Sequence, residues 1–507
     1  MKILKNIGLF VLGIFLVCSK LNVYASEIDY GADVGWLSQL EAQGYSWQDE
    51  NGNTRDVLDI LSDHGITAIR LRVFVNPPSS FEWTKNDGTE CILGYCNTTG
   101  LLYMAERAKN KGFDIMVDFH YSDHFADPEY QDIPEQWKDA SYNELVTYVY
   151  DYTYYIMNQL AQNGIYPKWV QVGNEINSGI LLPYGSSGNN FQQLAGLLNS
   201  GYDAVKAVSP SSKVVTHLAN GQNNATFRWF FDNFLTEYNG KTDVIGMSYY
   251  PYWIGSSFEN NIDDLADNLY DMADRYGKEV MVCEVGGVES DTNGTYELLQ
   301  AAIDAVGSVP ESKGIGIFYW EPEGNSQALP DGYILGTTTM TGNKNLKFTS
   351  ALNAFKESYD KISPNESRRY KIVNAKSEMS LNVSGGSYAD SANIEQYEYD
   401  EWNSQKWQFV EVESGYYKIV NKNSGLVLDI NGNSTTEGAR CIQNQYNGNW
   451  SQLWSVVRTS DGYYNIVNRN SNMVLQIEDK ATSAGAFCIQ STNDGNISQK
   501  WIIQVVE

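Results

Sequence analysis

Lys168-Trp169-Val170-Gln171-Val172-Gly173-Asn174-Glu175 and Glu279-Val280-Met281-Val282-Cys283-Glu284 are two short apolar runs, each ending on a glutamate. Both are rich in β-formers, and glycine-bearing loop sequence follows each. In a barrel of parallel strands, catalytic residues sit at the C-terminal strand ends. Two carboxylates there, contributed by different strands, are what cleavage of a glycosidic bond needs. Glu175 and Glu284 are therefore the candidate catalytic pair, and they predict a fold and a reaction together.

Six further runs share this texture, at 28–34, 66–74, 113–120, 213–218, 243–250 and 314–320. Amphipathic helical stretches lie between the runs, at 101–111, 144–162, 191–208, 262–276 and 296–306. Such alternation argues for parallel βαβ units. Eight units over residues 26–360 predict a (β/α)8 TIM barrel with some long loops. An open doubly wound sheet is the rival, but no glycine-rich phosphate loop follows the first run.

Residues 361–367, with Ser363-Pro364-Asn365, read as a linker. Beyond them helical periodicity stops and a 47-residue repeat begins. Tyr370, Tyr417 and Tyr464 each open a strand-like pentapeptide ending in Ile-Val-Asn. Gln405-Lys406-Trp407, Gln452-Leu453-Trp454 and Gln499-Lys500-Trp501 recur at the same period. Residues 368–507 thus resemble the ricin-type β-trefoil family, an all-β fold of three repeats. The resemblance implies a carbohydrate ligand, held by an acidic residue, an aromatic and an amide. Aligned at the period, the acidic position reads Asn382, Asp429 and Gln476, and the aromatic position Tyr399, Tyr446 and Asn493. The next polar position reads Trp402, Asn449 and Asn496. Only the middle repeat has all three parts, so Asp429, Tyr446 and Asn449 are the expected sugar-binding set. The Gln-x-Trp residues are expected to be structural.

The formal charge of −27 argues against nucleic acid and other polyanionic partners. Residues 1–25 carry three lysines, no acid, an apolar run and Val23-Tyr24-Ala25, a pattern that predicts a secretory signal cut after Ala25. The expectation is a secreted, extracellular protein with a neutral substrate and no membrane partner once the signal is gone. Cys91 and Cys96 are near enough in sequence to bridge, a pairing left open, and Cys283, Cys441 and Cys488 read as buried strand residues. No Cys/His cluster has zinc spacing, so neither metal nor cofactor is expected.

Motifs in the first part fall in order on the predicted strands. They are Gly31-Ala32-Asp33-Val34, Ile69-Arg70-Leu71-Arg72-Val73, Asp118-Phe119-His120-Tyr121-Ser122-Asp123, Ala126-Asp127-Pro128, Gln171-Val172-Gly173-Asn174-Glu175 and Ser248-Tyr249-Tyr250-Pro251. They resemble the arabinogalactan endo-β-1,4-galactanases of glycoside hydrolase family 53. That resemblance implies retaining cleavage of β-1,4-galactan, a side chain of pectin, with Glu175 as acid/base and Glu284 as nucleophile. Glu289 in the next loop is the alternative carboxylate. Arg70 is placed to keep Glu284 charged and Asn174 to bond the sugar 2-hydroxyl. His120 and Tyr249 are expected to line the pocket, and Trp320 to form its stacking floor. Two departures stand out. The loop after Glu284 is short and lacks the calcium-binding character of many relatives, and Phe125 stands where the family often has tryptophan.

Overall fold

The computed structural model describes residues 28–358, 369–413, 415–459 and 463–506. The expected signal over 1–25 and linker over 361–367 lie outside the described residues. Each of the eight predicted runs forms one barrel strand. They are β1 (Asp29–Asp33), β2 (Ala68–Val73), β3 (Asp114–Phe119), β4 (Trp169–Val172), β5 (Lys213–Leu218), β6 (Val244–Tyr249), β7 (Glu279–Val285) and β8 (Gly314–Trp320). All pair in parallel in sequence order, and β8 closes on β1. Glu175 and Glu284 thereby come from the fourth and seventh strands. Helices on the outside start where the chain supplies caps. Asn97 accepts from Gly100 N ahead of Thr98–Asn110, and Ser141 with Glu144 forms a capping box on Tyr142–Gln162.

Side chains alternate across each strand, so every second residue points into the barrel. The lower interior is apolar, with Ala68, Met116, Trp169, Val215, Met281 and Phe318 in one cluster. One step toward the C-terminal ends the same inward rows turn polar: Arg70, Asp118, Gln171 and His217 follow Ala68, Met116, Trp169 and Val215 at two-residue spacing. The polar layer is therefore supported from beneath by a dry one. On β7 the alternation is broken. Met247 pairs with Val282 but Ser248 with Glu284, so Cys283 is bulged out of register. Cys283 joins the apolar layer, and Glu284 still turns toward the cleft. A bulge that re-aims a side chain beside an active site is a common device. Gly246 makes room for it, since a Cβ there would lie 2.4 Å from the Cys283 sulfur.

The C-terminal part is a single twelve-stranded antiparallel system. Its first strand, Tyr370–Asn374, pairs along its length with its last, Trp501–Val505, so the three repeats close on themselves. Trp407, Trp454 and Trp501 are fully buried, and their indole N–H groups donate to the carbonyls of Leu381, Leu428 and Leu475, each at 3.0 Å. Gln405, Gln452 and Gln499 each accept from the N–H five residues upstream and donate to the carbonyl seven upstream. Each Gln-x-Trp motif is thus satisfied by its own repeat and acts as a structural rivet. Cys91, Cys96, Cys283, Cys441 and Cys488 are all buried free thiols, so Cys91 and Cys96 do not bridge.

The shared trefoil core predicts that Trp454→Ala, in a 368–507 fragment expected to fold alone, costs about 3–5 kcal/mol in chemical denaturation. A loss under about 1 kcal/mol would contradict its placement in that core.

Candidate functional site

The barrel's C-terminal mouth holds a 390 Å³ cleft whose lining includes Glu175, Glu284, Asn174, His120, Tyr250 and Trp320. Below it the Arg70 guanidinium, 1% exposed, organises the polar layer. Its Nη1 lies 2.9 Å from both Asp33 and Glu284 Oε1, and its Nη2 reaches Asp118 at 2.8 Å. The same Nη2 donates to Gln171 Oε1 at 3.1 Å and Asn174 Oδ1 at 2.9 Å. Three carboxyl groups around Arg70 are tolerable in a dry interior because the guanidinium is shared and hydrogen-bonded, because Arg72 also meets Asp33 at 3.1 Å, and because burial, then Glu321, push Asp33 toward its protonated form. Arg70 is therefore under the cleft, not in its lining, and it acts through Glu284.

Glu284 is 6% exposed and also accepts from Tyr250 OH at 3.1 Å. Burial raises its pKa above the ordinary value, while Arg70 and the Tyr250 hydroxyl pull it back. Glu175 has no such cation beside it. Burial first, and then the charge of Glu284, push its pKa up to about 8. The two environments pull the pair apart: Arg70 favours the charged form of Glu284, and nothing comparable does so for Glu175. Glu175 also sits in the left-handed region, at φ 45° and ψ 52°, just past Gly173 at φ 86°. A non-glycine residue held there is strained, a feature concentrated at functional sites.

Asn174 is locked from four sides. Its Oδ1 accepts from Arg70, from Gln171 Nε2 at 2.9 Å and from His217 Nδ1 at 3.0 Å, and its Nδ2 donates to Ala126 O at 2.8 Å. One Nδ2 proton has no assigned acceptor among these bonds. His120 lines the cleft, but both its nitrogens are occupied: Nδ1 accepts from Ala126 N at 2.8 Å and Nε2 meets Asp118 at 2.9 Å. Burial lowers its pKa, so it is a neutral ring holding the Ala126 loop. Trp320 packs edge-on against Trp36 at 4.9 Å and Tyr333 at 4.8 Å, leaving its remaining surface to the cleft. Phe125 stands beside them, with the Arg72 guanidinium 4.8 Å from its ring.

Tyr249 requires correction. It is buried, points away from the cleft and donates to Asn261 Oδ1 at 2.6 Å. Strand alternation places Ser248 and Tyr250 inward instead, and Tyr250 lines the site. Glu289 does not line this cleft; it accepts from Ser326 N at 2.9 Å and holds that loop. Missed from sequence were Ser248, 2.6 Å from Glu175 Oε1, and His217, 2.8 Å from Ser248. Asp118, Gln171 and Tyr250, like Ser248, stand in the quoted motifs but were given no role there. The available signal was a polar residue inside an otherwise apolar strand run.

On the trefoil a concavity opens at the first repeat, lined by Asn382, Glu395, Tyr397, Trp402 and Asn403 among others. Trp402 is 49% exposed, and its ring lies 5.8 Å from that of Tyr397. Asn382, 2% exposed, donates to Glu395 at 3.2 Å and leaves its Oδ1 without a partner. The middle repeat differs. Asp429 is 3% exposed and receives Ser451 Oγ at 2.7 Å, Asn444 Nδ2 at 2.9 Å and Gln452 Nε2 at 3.2 Å. Tyr446 carries Lys418 at 4.9 Å over its ring, and Asn449 donates to Asn433 at 3.3 Å. The cause is one residue. Asn444 stands 47 positions after Tyr397, so an amide reaches Asp429 where the first repeat has a ring. In the first repeat the aromatic is therefore Tyr397, not Tyr399, which lies under Lys371 at 4.9 Å. Glu395 supplies the carboxylate that alignment of Asn382 left missing.

Residues 29–355 match the model of glycosyl hydrolase family 53. The chain belongs to that family. It is 34% identical over 313 residues to the arabinogalactan endo-β-1,4-galactanase of Humicola insolens, covering 57% of this chain and 88% of that protein. The Ignisphaera aggregans GH53 catalytic domain superposes with a TM-score of 0.57 at 31% identity, covering 66% of this chain and 96% of that one. A fungal β-1,4-galactanase structure gives 0.55 at 30% identity, covering 65% and 98%. Residues 403–491 and 450–507 match the ricin-type beta-trefoil lectin domain-like family. The protein is thus a glycoside hydrolase with a lectin-like module. Among the described residues no helix is long and apolar enough to cross a membrane, and no His/Cys/Asp/Glu group is arranged to hold a metal ion.

Replacing Arg70 by Met strands Asp33, Asp118 and Glu284 without their shared cation. Unfolding of the barrel should lose about 3–5 kcal/mol, read by denaturant titration. A change below about 1 kcal/mol would mean that the cation does not hold the layer together.

Proposed function

We propose that this chain is a secreted, retaining endo-β-1,4-galactanase acting on galactan side chains of pectin. In this reading a signal occupies 1–25, the hydrolase 26–360, a linker 361–367 and a sugar-binding trefoil 368–507. The observation that carries it is the split pair: two carboxyls on one cleft, one beside a cation and one not. Glu284 attacks the anomeric carbon while Glu175 gives its proton to the leaving oxygen. Glu175 then takes a proton from water, which releases the sugar from Glu284. Asn174, through its remaining N–H, holds the 2-hydroxyl, and Trp320 stacks on the ring. Galactanase relatives at 34% identity support the substrate. Phe125, beside Trp320, favours one second reading: a β-galactoside hydrolase with another linkage preference. Reducing-sugar release from β-1,4-galactan, β-1,3-galactan and arabinogalactan separates the two. No release from any of them would favour a barrel that only binds glycan.

Glu175→Gln should lower kcat on galactan by about 10²–10⁴-fold, and Glu284→Gln should reduce it to background. Azide should restore turnover to Glu284→Ala and yield the α-galactosyl azide. In the native protein kcat/KM should fall as pH rises through about 8, as Glu175 loses its proton, and fall again in acid as Glu284 gains one. Near-native turnover by Glu284→Gln would sink the assignment.

For the trefoil we infer that the first repeat is the stronger sugar site, because an exposed Trp402 lines the same concavity as a buried, under-bonded Asn382. One shallow site binds weakly, yet tethering raises local substrate concentration. Trp402→Ala should weaken retention on insoluble galactan more than Tyr446→Ala, with turnover of short soluble oligosaccharides unchanged. The reverse order in a pull-down would return the site to Asp429, Tyr446 and Asn449.

A further inference from the structure

His217 and Ser248 lie behind Glu175, and the bonds around them have one consistent direction. Asn174 fixes it. Its Oδ1 faces Arg70 Nη2 and Gln171 Nε2, which can only donate, and its Nδ2 faces the Ala126 carbonyl, which can only accept. That amide cannot be turned around. His217 Nδ1, 3.0 Å from the same Oδ1, must then carry a hydrogen. A second ring proton is opposed by burial foremost, then by Arg70, with His120 adding to it; only Asp118 favours one. His217 Nε2 is therefore a bare acceptor, and Ser248 Oγ lies 2.8 Å from it. A hydroxyl has one proton. If Ser248 gives it to His217, the 2.6 Å contact between Ser248 Oγ and Glu175 Oε1 can be a hydrogen bond only when Glu175 supplies the proton.

We propose that His217 and Ser248 are positioning residues that keep the proton on Glu175 in the free enzyme. The proposal rests on the reading of Glu175 as the acid. Around Glu175, burial first, then Glu284 on β7 and Asp127 in the loop after β3 favour the proton; Arg70 on β2 opposes it, and so would Ser248 if it donated to the carboxylate instead of accepting from the acid. Ionising Glu175 with this chain in place leaves a poor choice. Either Ser248 turns to the carboxylate and His217 Nε2 loses its donor, or the ring takes the other tautomer and its Nδ1 lone pair faces Asn174 Oδ1. In the first half of the reaction the proton leaves Glu175 for the glycosidic oxygen, and the Ser248 hydroxyl turns to the new carboxylate. In the second half water returns a proton to Glu175, its hydroxide goes to the anomeric carbon, and the original direction is restored.

Two measurements test this. Nitrogen-15 NMR of the histidine-labelled full chain resolves ring tautomers among only four histidines. His217 should be neutral and protonated at Nδ1. His120, whose Nδ1 accepts from Ala126 N, should show the opposite tautomer and serves as an internal reference. An Nε2-protonated ring or an imidazolium at His217 would overturn the proposal, and this readout needs no catalysis. The second is the pH dependence of kcat/KM for Ser248→Ala. If Ser248 accepts from the acid form, its removal lowers the alkaline limb by about one pH unit, the worth of one such bond, and Ser248→Thr restores it. An upward shift means that Ser248 donates to the carboxylate and refutes the proposal, as does an unmoved limb. Failure of the acid assignment itself would appear separately, as activity retained by Glu175→Gln.

Discussion

One guanidinium carries the active layer. Arg70 meets Asp33, Asp118 and Glu284 within 2.9 Å and orients Gln171 and Asn174 as well. Remove that cation and Asp118 and Glu284 lose their arginine while Asp33 keeps only Arg72, 3.1 Å away, so buried carboxyls are left under-compensated together. The barrel makes the arrangement possible, because it places eight strands' inward rows around one axis and seals them below with Met116, Trp169 and Phe318. Electrostatic asymmetry follows from distance. Glu284 is beside the cation and Glu175 is not, so a single fixed charge divides two like side chains into different protonation states.

The trefoil repeats the lesson in a different chemistry. Three Gln-x-Trp rivets give each repeat the same frame, with the same indole-to-carbonyl bond at 3.0 Å. Differences in capacity then arise from single residues on that frame. Tyr397 leaves the buried Asn382–Glu395 pair under an aromatic wall, whereas Asn444 fills the corresponding space and uses the carboxylate of Asp429.

Much of this was legible in the sequence. Eight β-rich runs separated by helical periodicity specify a closed barrel, because the hydrophobic period changes from two to 3.6 and back at each boundary. The 47-residue repeat specifies a threefold domain. Glu175 and Glu284 could be singled out because each ends such a run. What was not legible depended on facing. Tyr249 and Tyr250 are adjacent, and only the pleat and the register shift at Met247/Ser248 decide which enters the cleft. His217 looks ordinary in its strand and Ser248 only opens a motif; the meaning of both lies in contacts between strands. In the trefoil, alignment at the period located equivalent backbone positions, but it could not reveal that Glu395, from the neighbouring strand, supplies the missing charge.

In the proposed retaining reaction Glu284 becomes covalently bound to sugar during turnover. Its direct test is to trap that state with a 2-deoxy-2-fluoro-β-galactoside bearing a good leaving group, then map the labelled peptide by mass spectrometry. One glycosyl unit should be found, on Glu284. A label on Glu289 or Glu175, or stoichiometric release of leaving group with no labelled peptide, would contradict it.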